Sequence, residues 1–429
     1  MSRETGKELR NKVMYQIFVR NFSKEGTFKA ITPELPRIHD LGVDIVWFAP
    51  IHPIGKKARK GSLGSPYAIS DYRKINPEYG TMDDFKAIVE AIHEQGMKCI
   101  IDVVYNHTSP DSVLAKEHPE WFYHKADGSF GNRVGDWTDI IDLDYANEGL
   151  WAYQIETLKM WAEIVDGFRC DVAPLVPIDF WSRARKEVEE VRPGCIWLSE
   201  SVDPGFIMTM RDMGLTAQSD CEMYQAFDIL YDYDIYEKMT EYAAGKGPLQ
   251  AYSEAINRQE YIYPDNYVKL RFLENHDQPR ARFLFPDERA LRNATAFLYF
   301  QKGMTLIYAG QEKGVSHLPS LFDKDEVDWK AKENIDLGDL MRRLYEIKQD
   351  ELFTDSTYRT KTYEDNVLKA IHSRGGKKII GIFSFKGEPG IIPIHAQDGC
   401  YENLIDGSTV EIMHGYVSLK GEPVIIDIS

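Results

Sequence analysis

Residues 165–173 read VDGFRCDVA, a short apolar run that ends in Arg169 and Asp171. Alternate residues of a strand share a face, so these two side chains leave an extended chain on the same side. An arginine beside an aspartate keeps the carboxylate ionised and its pKa low. A charged carboxylate at the mouth of a sheet is what a nucleophile looks like before it meets its substrate. Taken alone, one Arg-x-Asp is equally an ion pair that caps a strand. Other apolar runs, however, end in the same way. KCIIDVVYNH (98–107) supplies Asp102, Asn106 and His107, CIWLSES (195–201) supplies Glu200, and VKLRFLENHD (268–277) supplies Asn275, His276 and Asp277. So much charge gathered at one rim is unfavourable to bury, and structural networks rarely concentrate it this way. Acidic groups forced together acquire unlike pKa values, which is the basis of acid–base and nucleophilic work by a carboxylate pair.

The scaffold that could bring these ends together is legible in the alternation of the chain. Strand-like runs begin with VMYQIFVRNF (13–22) and VDIVWFAP (43–50), continue through 98–107, 165–173 and 195–201, weaken near 219–228, and finish with 268–277 and MTLIYAG (304–310). Each is followed by a loop and usually by an amphipathic helix. Thr81 and Asp84 form a capping box ahead of Phe85, Ile88, Val89 and Ile92, and Gly96 stops that helix. Phe180, Trp181, Ala184 and Val188 keep a similar period after the fourth run. Eight such units predict an α/β fold, a closed (β/α)8 TIM barrel over residues 1–350 whose C-terminal strand ends carry the chemistry. The stretch 108–145, rich in Pro, His, Gly and Trp, reads as an inserted subdomain after strand 3 that leans over the barrel mouth. From residue 351 to 429 short alternating runs such as KKIIGIFSF and PVIIDIS predict a C-terminal antiparallel β-sandwich domain.

Composition narrows the ligand. The 429 residues carry a formal charge of −17, which argues against nucleic acid and anionic membranes and suits a neutral small molecule. No run approaches the roughly 18 apolar residues of a membrane span. The five cysteines are an odd number, and Cys99, Cys170 and Cys195 lie inside apolar runs, as buried thiols of a reducing compartment do. The polar start MSRETGKELRNK lacks the apolar core of a signal peptide, so the expected location is the cytoplasm. Nothing in the composition indicates an oligomeric state.

The segments DVVYNH, GFRCDVA, LSES and FLENHD resemble, in the same order, the four signature segments of the α-amylase family of glycoside hydrolases. SPYAISDY (65–72), NPEYGTMDDF (76–85), DWTDIIDLDY (136–145) and LFDKDEVDW (321–329) resemble further parts of that barrel. The resemblance implies Asp171 as nucleophile, Glu200 as general acid/base and Asp277 as the third carboxylate, which grips sugar hydroxyls. It implies that Arg169 keeps Asp171 charged, that Asp102, His107 and His276 bind the sugar at the cleavage subsite, and that Tyr67 stacks beneath it. The implied substrate is an α-glucan oligosaccharide, with hydrolysis of mainly α-1,4 bonds in maltooligosaccharides or starch fragments. No cofactor is required for that chemistry. Asn106 matches a residue that in many relatives ligates a structural Ca2+. The chain departs from the family at Pro174 and Leu175, where many relatives carry Lys-His or Asn-Glu; such side chains shape the subsites beyond the scissile bond, and the histidine also lends its carbonyl to the calcium.

These roles agree with elementary chemistry. Retaining glycoside cleavage uses one ionised carboxylate and one protonated carboxyl about 5 Å apart. A flat aromatic ring suits the apolar face of a pyranose, while Asp and His suit its hydroxyls. Three other readings compete. The same covalent intermediate can pass to another sugar, to phosphate or within one disaccharide. A catalytically silent barrel kept as a scaffold is expected to lose at least one acidic residue, yet all three stand here. A phosphate-binding barrel needs a glycine-rich anion loop, and AGQEKG places Glu312 where an anion would sit.

Overall fold

The computed structural model describes residues 4–135 and 137–429. Eight parallel strands close into a barrel: β1 (Val13–Ile17), β2 (Ile45–Phe48), β3 (Lys98–Val103), β4 (Gly167–Cys170), β5 (Ile196–Ser199), β6 (Ile229–Tyr231), β7 (Val268–Arg271) and β8 (Met304–Tyr308). They follow one another around the ring in chain order, and β8 returns to pair with β1. Helices cover the outside, so the strands are buried on both faces and read as nearly continuous apolar runs. The helix Met82–Glu94 starts on the reciprocal Thr81–Asp84 capping box and buries Phe85, Ile88, Val89 and Ile92. Each large apolar side chain buried in this way contributes about 1.5–3 kcal/mol relative to exposure.

Two strand expectations need correction. The sixth strand is not near 219–228 but at Ile229–Tyr231. Ser219 and Glu222 form a capping box there, and the chain makes the one-turn helix Asp220–Met223 before it reaches the barrel. The first run likewise stops at Ile17, and Val19–Phe22 forms one helical turn.

The register sets the rim. Asp102 pairs with Arg169 and Cys170 pairs with Ser199, so β3, β4 and β5 end level with one another. The ladder runs one residue beyond the strands: the Asp171 amide donates to the Val103 carbonyl at 2.9 Å and the Glu200 amide to the Cys170 carbonyl at 3.0 Å. The two acidic residues therefore sit on fixed backbone. Gly167 permits the close approach of β4 to β5, because a Cβ there would stand 2.4 Å from the Ile196 carbonyl oxygen.

The segment after β3 returns to its own root. His107–Thr108 pairs antiparallel with Ile141–Asp142, which pins His107 at the rim. The aromatic side chains of Phe122 and Phe130 pack together within the insertion; Asp136, the first residue of DWTDIIDLDY, lies outside the described residues.

Beyond the last barrel helix, Gly338–Lys348, the chain forms two antiparallel four-stranded sheets. One contains β9 (Thr357–Tyr363), β10 (Val367–Arg374), β11 (Lys377–Ser384) and β16 (Val424–Asp427). The other contains β12 (Gly390–Pro393), β13 (Gly399–Glu402), β14 (Thr409–Met413) and β15 (Tyr416–Leu419). Leu368, Ala370 and Phe383 of the first sheet join the barrel core, where Phe383 packs on Phe297 and Phe300. Ile380, Ile382, Ile412, Val417 and Ile426 fill the space between the two sheets.

Candidate active site

Arg169 organises the rim. It is fully buried, and its Nη1 donates to Asp102 Oδ1 and to Asp171 Oδ1, each at 2.8 Å. Its Nη2 lies 2.8 Å from Glu200 Oε1, close enough for ion pairing though without hydrogen-bond alignment. Nε donates to the Tyr231 hydroxyl at 3.3 Å, and the guanidinium sits 5.3 Å from the centre of the Trp47 ring. One cation therefore serves three carboxylates.

That arithmetic governs the protonation states. Burial pushes Asp171 up to about 6, and Arg169 offsets only part of the shift. Burial pushes Glu200 further, to about 7, with the negative charges of Asp171 and Asp277 adding to it. The expectation that Arg169 holds Asp171 below the usual carboxylate range is thus overturned: a guanidinium shared among three acids cannot compensate the desolvation of each. The order of the pair survives, with Glu200 the better proton holder. Asp102 is likewise raised by burial to about 6.

The other expected side chains surround this pair. Asp277, 40% exposed at the mouth, pairs with His276 Nε2 at 3.0 Å. Burial opposes charge on both, but their mutual attraction prevails, lowering the Asp277 pKa and raising that of His276. Tyr67 donates to Asp102 Oδ2 at 3.1 Å, and its ring stacks on His276 at 5.3 Å. His107 Nε2 stands 3.9 Å from Asp171 Oδ2, and burial drives its pKa down to about 4, so the ring is neutral at pH 7. Tyr67, His107, Asp171, Glu200 and Asp277 line one cavity of about 320 Å3.

Matching against known proteins agrees with this geometry. The model for the α-amylase catalytic domain matches residues 12–127 and 115–366. The chain belongs to the α-amylase family. A model of the bacterial α-amylase C-terminal domain matches residues 359–426. Among solved structures, an α-amylase from Lactobacillus plantarum is 46% identical with a TM-score of 0.95, covering 99% of this chain and 100% of that one. α-Amylase MalA of Haloarcula japonica is 30% identical over 316 residues, 70% of this chain and 44% of that protein. A maltosyltransferase of Myxococcus xanthus, acting between α-1,4-glucan and maltose 1-phosphate by its name, is 33% identical over 228 residues, 47% of this chain and 34% of that protein. The chain thus spans less than half the length of these two curated relatives.

Several residues at this α-amylase-type rim make contacts that the sequence motifs do not specify. Gln16, at the end of β1, meets His276 Nδ1 at 2.7 Å through its Nε2; a glutamine inside the apolar run VMYQI was the available signal. Val172 adopts a left-handed backbone conformation, with φ +35°, and its amide donates to Glu200 Oε2 at 2.8 Å. A β-branched residue in that conformation is strained. Lys60 also lines the cavity, from a loop whose course no local pattern reveals, and Trp137, Asp139 and Phe322 join it from within DWTDIIDLDY and LFDKDEVDW.

Asn106 Nδ2 meets His107 Nδ1 at 3.2 Å, but Asn106 does not line that cavity. With Asp142 and Leu175 it lines a separate cavity of about 320 Å3. Asp142 keeps Oδ1 buried without a hydrogen-bond partner, while Oδ2 accepts from the Arg133 amide at 2.7 Å. Among the described residues no three Asp, Glu, His or Cys side chains converge as metal ligands. Asp144 lines the same cavity, so the carboxylate and amide oxygens there are those of Asp142, Asp144 and Asn106, with the Arg133 guanidinium 3.7 and 3.8 Å from the two acids. Such an all-oxygen set fits calcium and does not fit a softer metal.

Proposed function

We propose that this chain is a retaining glycoside hydrolase acting on α-glucosidic, mainly α-1,4, bonds of maltooligosaccharides and starch fragments. The observation that carries the reading is one buried guanidinium, Arg169, set against both Asp171 and Glu200. It holds two carboxylates side by side while their unlike environments leave the proton on Glu200. Protonated Glu200 gives its proton to the glycosidic oxygen as the C1–O bond breaks and the electron pair leaves on that oxygen. Asp171 attacks C1 from the opposite face, forming a glycosyl ester. Glu200, now a carboxylate, takes a proton from water, whose oxygen attacks C1 and releases Asp171. Two inversions leave the anomeric configuration unchanged. Asp277 and His276 accept and donate hydrogen bonds to ring hydroxyls, and Tyr67 offers its flank to the sugar. Neutral His107 faces Asp171 without adding positive charge.

A structural calcium ion belongs to the same reading. Asn106 and Asp142 would hold it, and its charge would tie the inserted segment to the end of β3. Cys99, Cys170 and Cys195 are buried and form no disulfide, which suits the reducing environment of the cytoplasm. No helix among the described residues is long and apolar enough to cross a membrane.

The test is the anomeric form of the first sugar released from maltoheptaose, followed by NMR before mutarotation. The α-anomer is expected; a β-anomer sinks the mechanism. A second reading, transfer of the glycosyl group to a sugar or phosphate, draws on the maltosyltransferase relative. Adding maltose or inorganic phosphate to the same digestion distinguishes them: longer oligosaccharides or a sugar phosphate in place of free sugar would favour transfer.

A further inference from the structure

We infer that the cavity is closed on the side away from Glu200, so that the enzyme takes the non-reducing end of a chain rather than its middle. This rests on the hydrolase reading above. The acid stands on the leaving-group side of the scissile bond, and Glu200 follows β5. In an eight-membered ring β1 lies opposite β5, and β2 and β8 flank β1. The loops after β2 and β8 therefore face the portion of substrate that carries the attacked carbon, which is the non-reducing side.

Those two loops are stitched together. The amides of Leu63 and Gly64 donate to the Phe322 carbonyl at 2.9 and 3.1 Å. The Ser62 amide and hydroxyl donate to Asp323 Oδ1 at 2.8 and 2.6 Å. From beneath, Arg20 Nη1 donates to the carbonyls of Gly64 and Leu321 at 2.9 and 3.2 Å. The wall then continues into the inserted subdomain, because Lys60 pairs with Asp139 at 2.9 Å. Asp139 is 5% exposed, so the pair is anchored on the subdomain side. Lys60, Asp139 and Phe322 all face the cavity. A glucan lying across an open groove needs an exit at both ends; here three segments close one of them. The volume, about 320 Å3, is at the small end of ligand pockets, which suits a short chain end.

The experiment compares maltoheptaose carrying a chromophore at the reducing end with the same molecule whose non-reducing glucose is blocked as a 4,6-ethylidene acetal. Products are separated and weighed by mass spectrometry. The free substrate should be shortened from its non-reducing end, and the blocked one cut at least a hundredfold more slowly. Internal cleavage of the blocked substrate at a comparable rate overturns the closed wall while leaving the hydrolase reading intact. Turnover of neither substrate, nor of any other α-glucan, overturns the hydrolase reading and this inference with it. Lys60→Ala and, separately, Asp323→Asn should raise the blocked-to-free rate ratio at least tenfold, whereas Lys60→Arg should preserve it. Unchanged ratios in both loosening variants, with the fold confirmed by circular dichroism, also overturn the wall.

Discussion

The amide of Val172 donates to Glu200 Oε2 at 2.8 Å, so the residue that follows Asp171 grips Glu200. That grip depends on a left-handed turn at Val172, φ +35°, which an L-residue with a branched Cβ adopts only under strain of about 1–3 kcal/mol. Glycine removes the strain but loosens the turn. Val172→Gly should therefore leave the melting temperature within a few degrees of wild type while lowering kcat about tenfold. A large loss of stability with unchanged kcat would assign the turn to folding rather than to the acid's placement.

Asp171→Asn and Glu200→Gln should separate nucleophile from acid. A general acid contributes about 10²–10⁴-fold, and that contribution disappears when the leaving group needs no proton. On maltoheptaose both variants should be nearly inactive. On an α-maltosyl fluoride, whose fluoride leaves unprotonated, Glu200→Gln should regain most of its first-step rate and Asp171→Asn should not. Equal rescue of both, read by fluoride release, would show that the roles are misassigned.

Much of this centre was legible because a parallel barrel places its chemistry at strand ends, and strand ends are contiguous in sequence. Asp102, Arg169, Asp171, Glu200 and His276 each lie at or just beyond the end of an apolar run, with β3, β4 and β5 adjacent in the ring and β7 one strand removed from β5. The sixth strand was misplaced because three residues are too few to show a period, and the capped turn at Ser219 supplied apolar residues just ahead of it. The pKa of Asp171 was misjudged for a different reason. Sequence shows Arg169 two residues away but not that Asp102 and Glu200 claim the same guanidinium. Gln16 and Val172 act through single hydrogen bonds formed across the barrel, and no spacing rule encodes those.

Charge sharing at Arg169 fixes the pH response. The proposed mechanism requires Asp171 ionised and Glu200 protonated. Acid protonates Asp171, whose raised pKa is about 6, and base removes the Glu200 proton near about 7. The profile of kcat/KM should be a narrow bell centred between these limbs, which belong to the coupled pair. The negative charge of Asp277 raises both groups, so Asp277→Asn should shift both limbs toward acid while lowering overall activity. A variant profile displaced toward base contradicts that electrostatic coupling.

Calcium should act on stability rather than on the chemical step. Asp142 is 2% exposed, burial raises its pKa, and Oδ1 has no partner, so its ionised form is undercompensated without a cation. A ligand present at a hundred times its Kd stabilises the folded state by about 2.7 kcal/mol. Removing the ion with a chelator should lower the melting temperature by several degrees, and added Ca2+ should restore it. Mg2+ should restore it poorly, because it demands shorter, octahedral coordination. Asn106→Ala and Asp142→Asn should abolish the calcium response. A wild-type melting curve indifferent to both chelator and added Ca2+, measured by calorimetry, would remove the ion from this site. The partial cover that Arg133 Nη1 gives Asp142 Oδ2 at 3.7 Å would then be its cationic support.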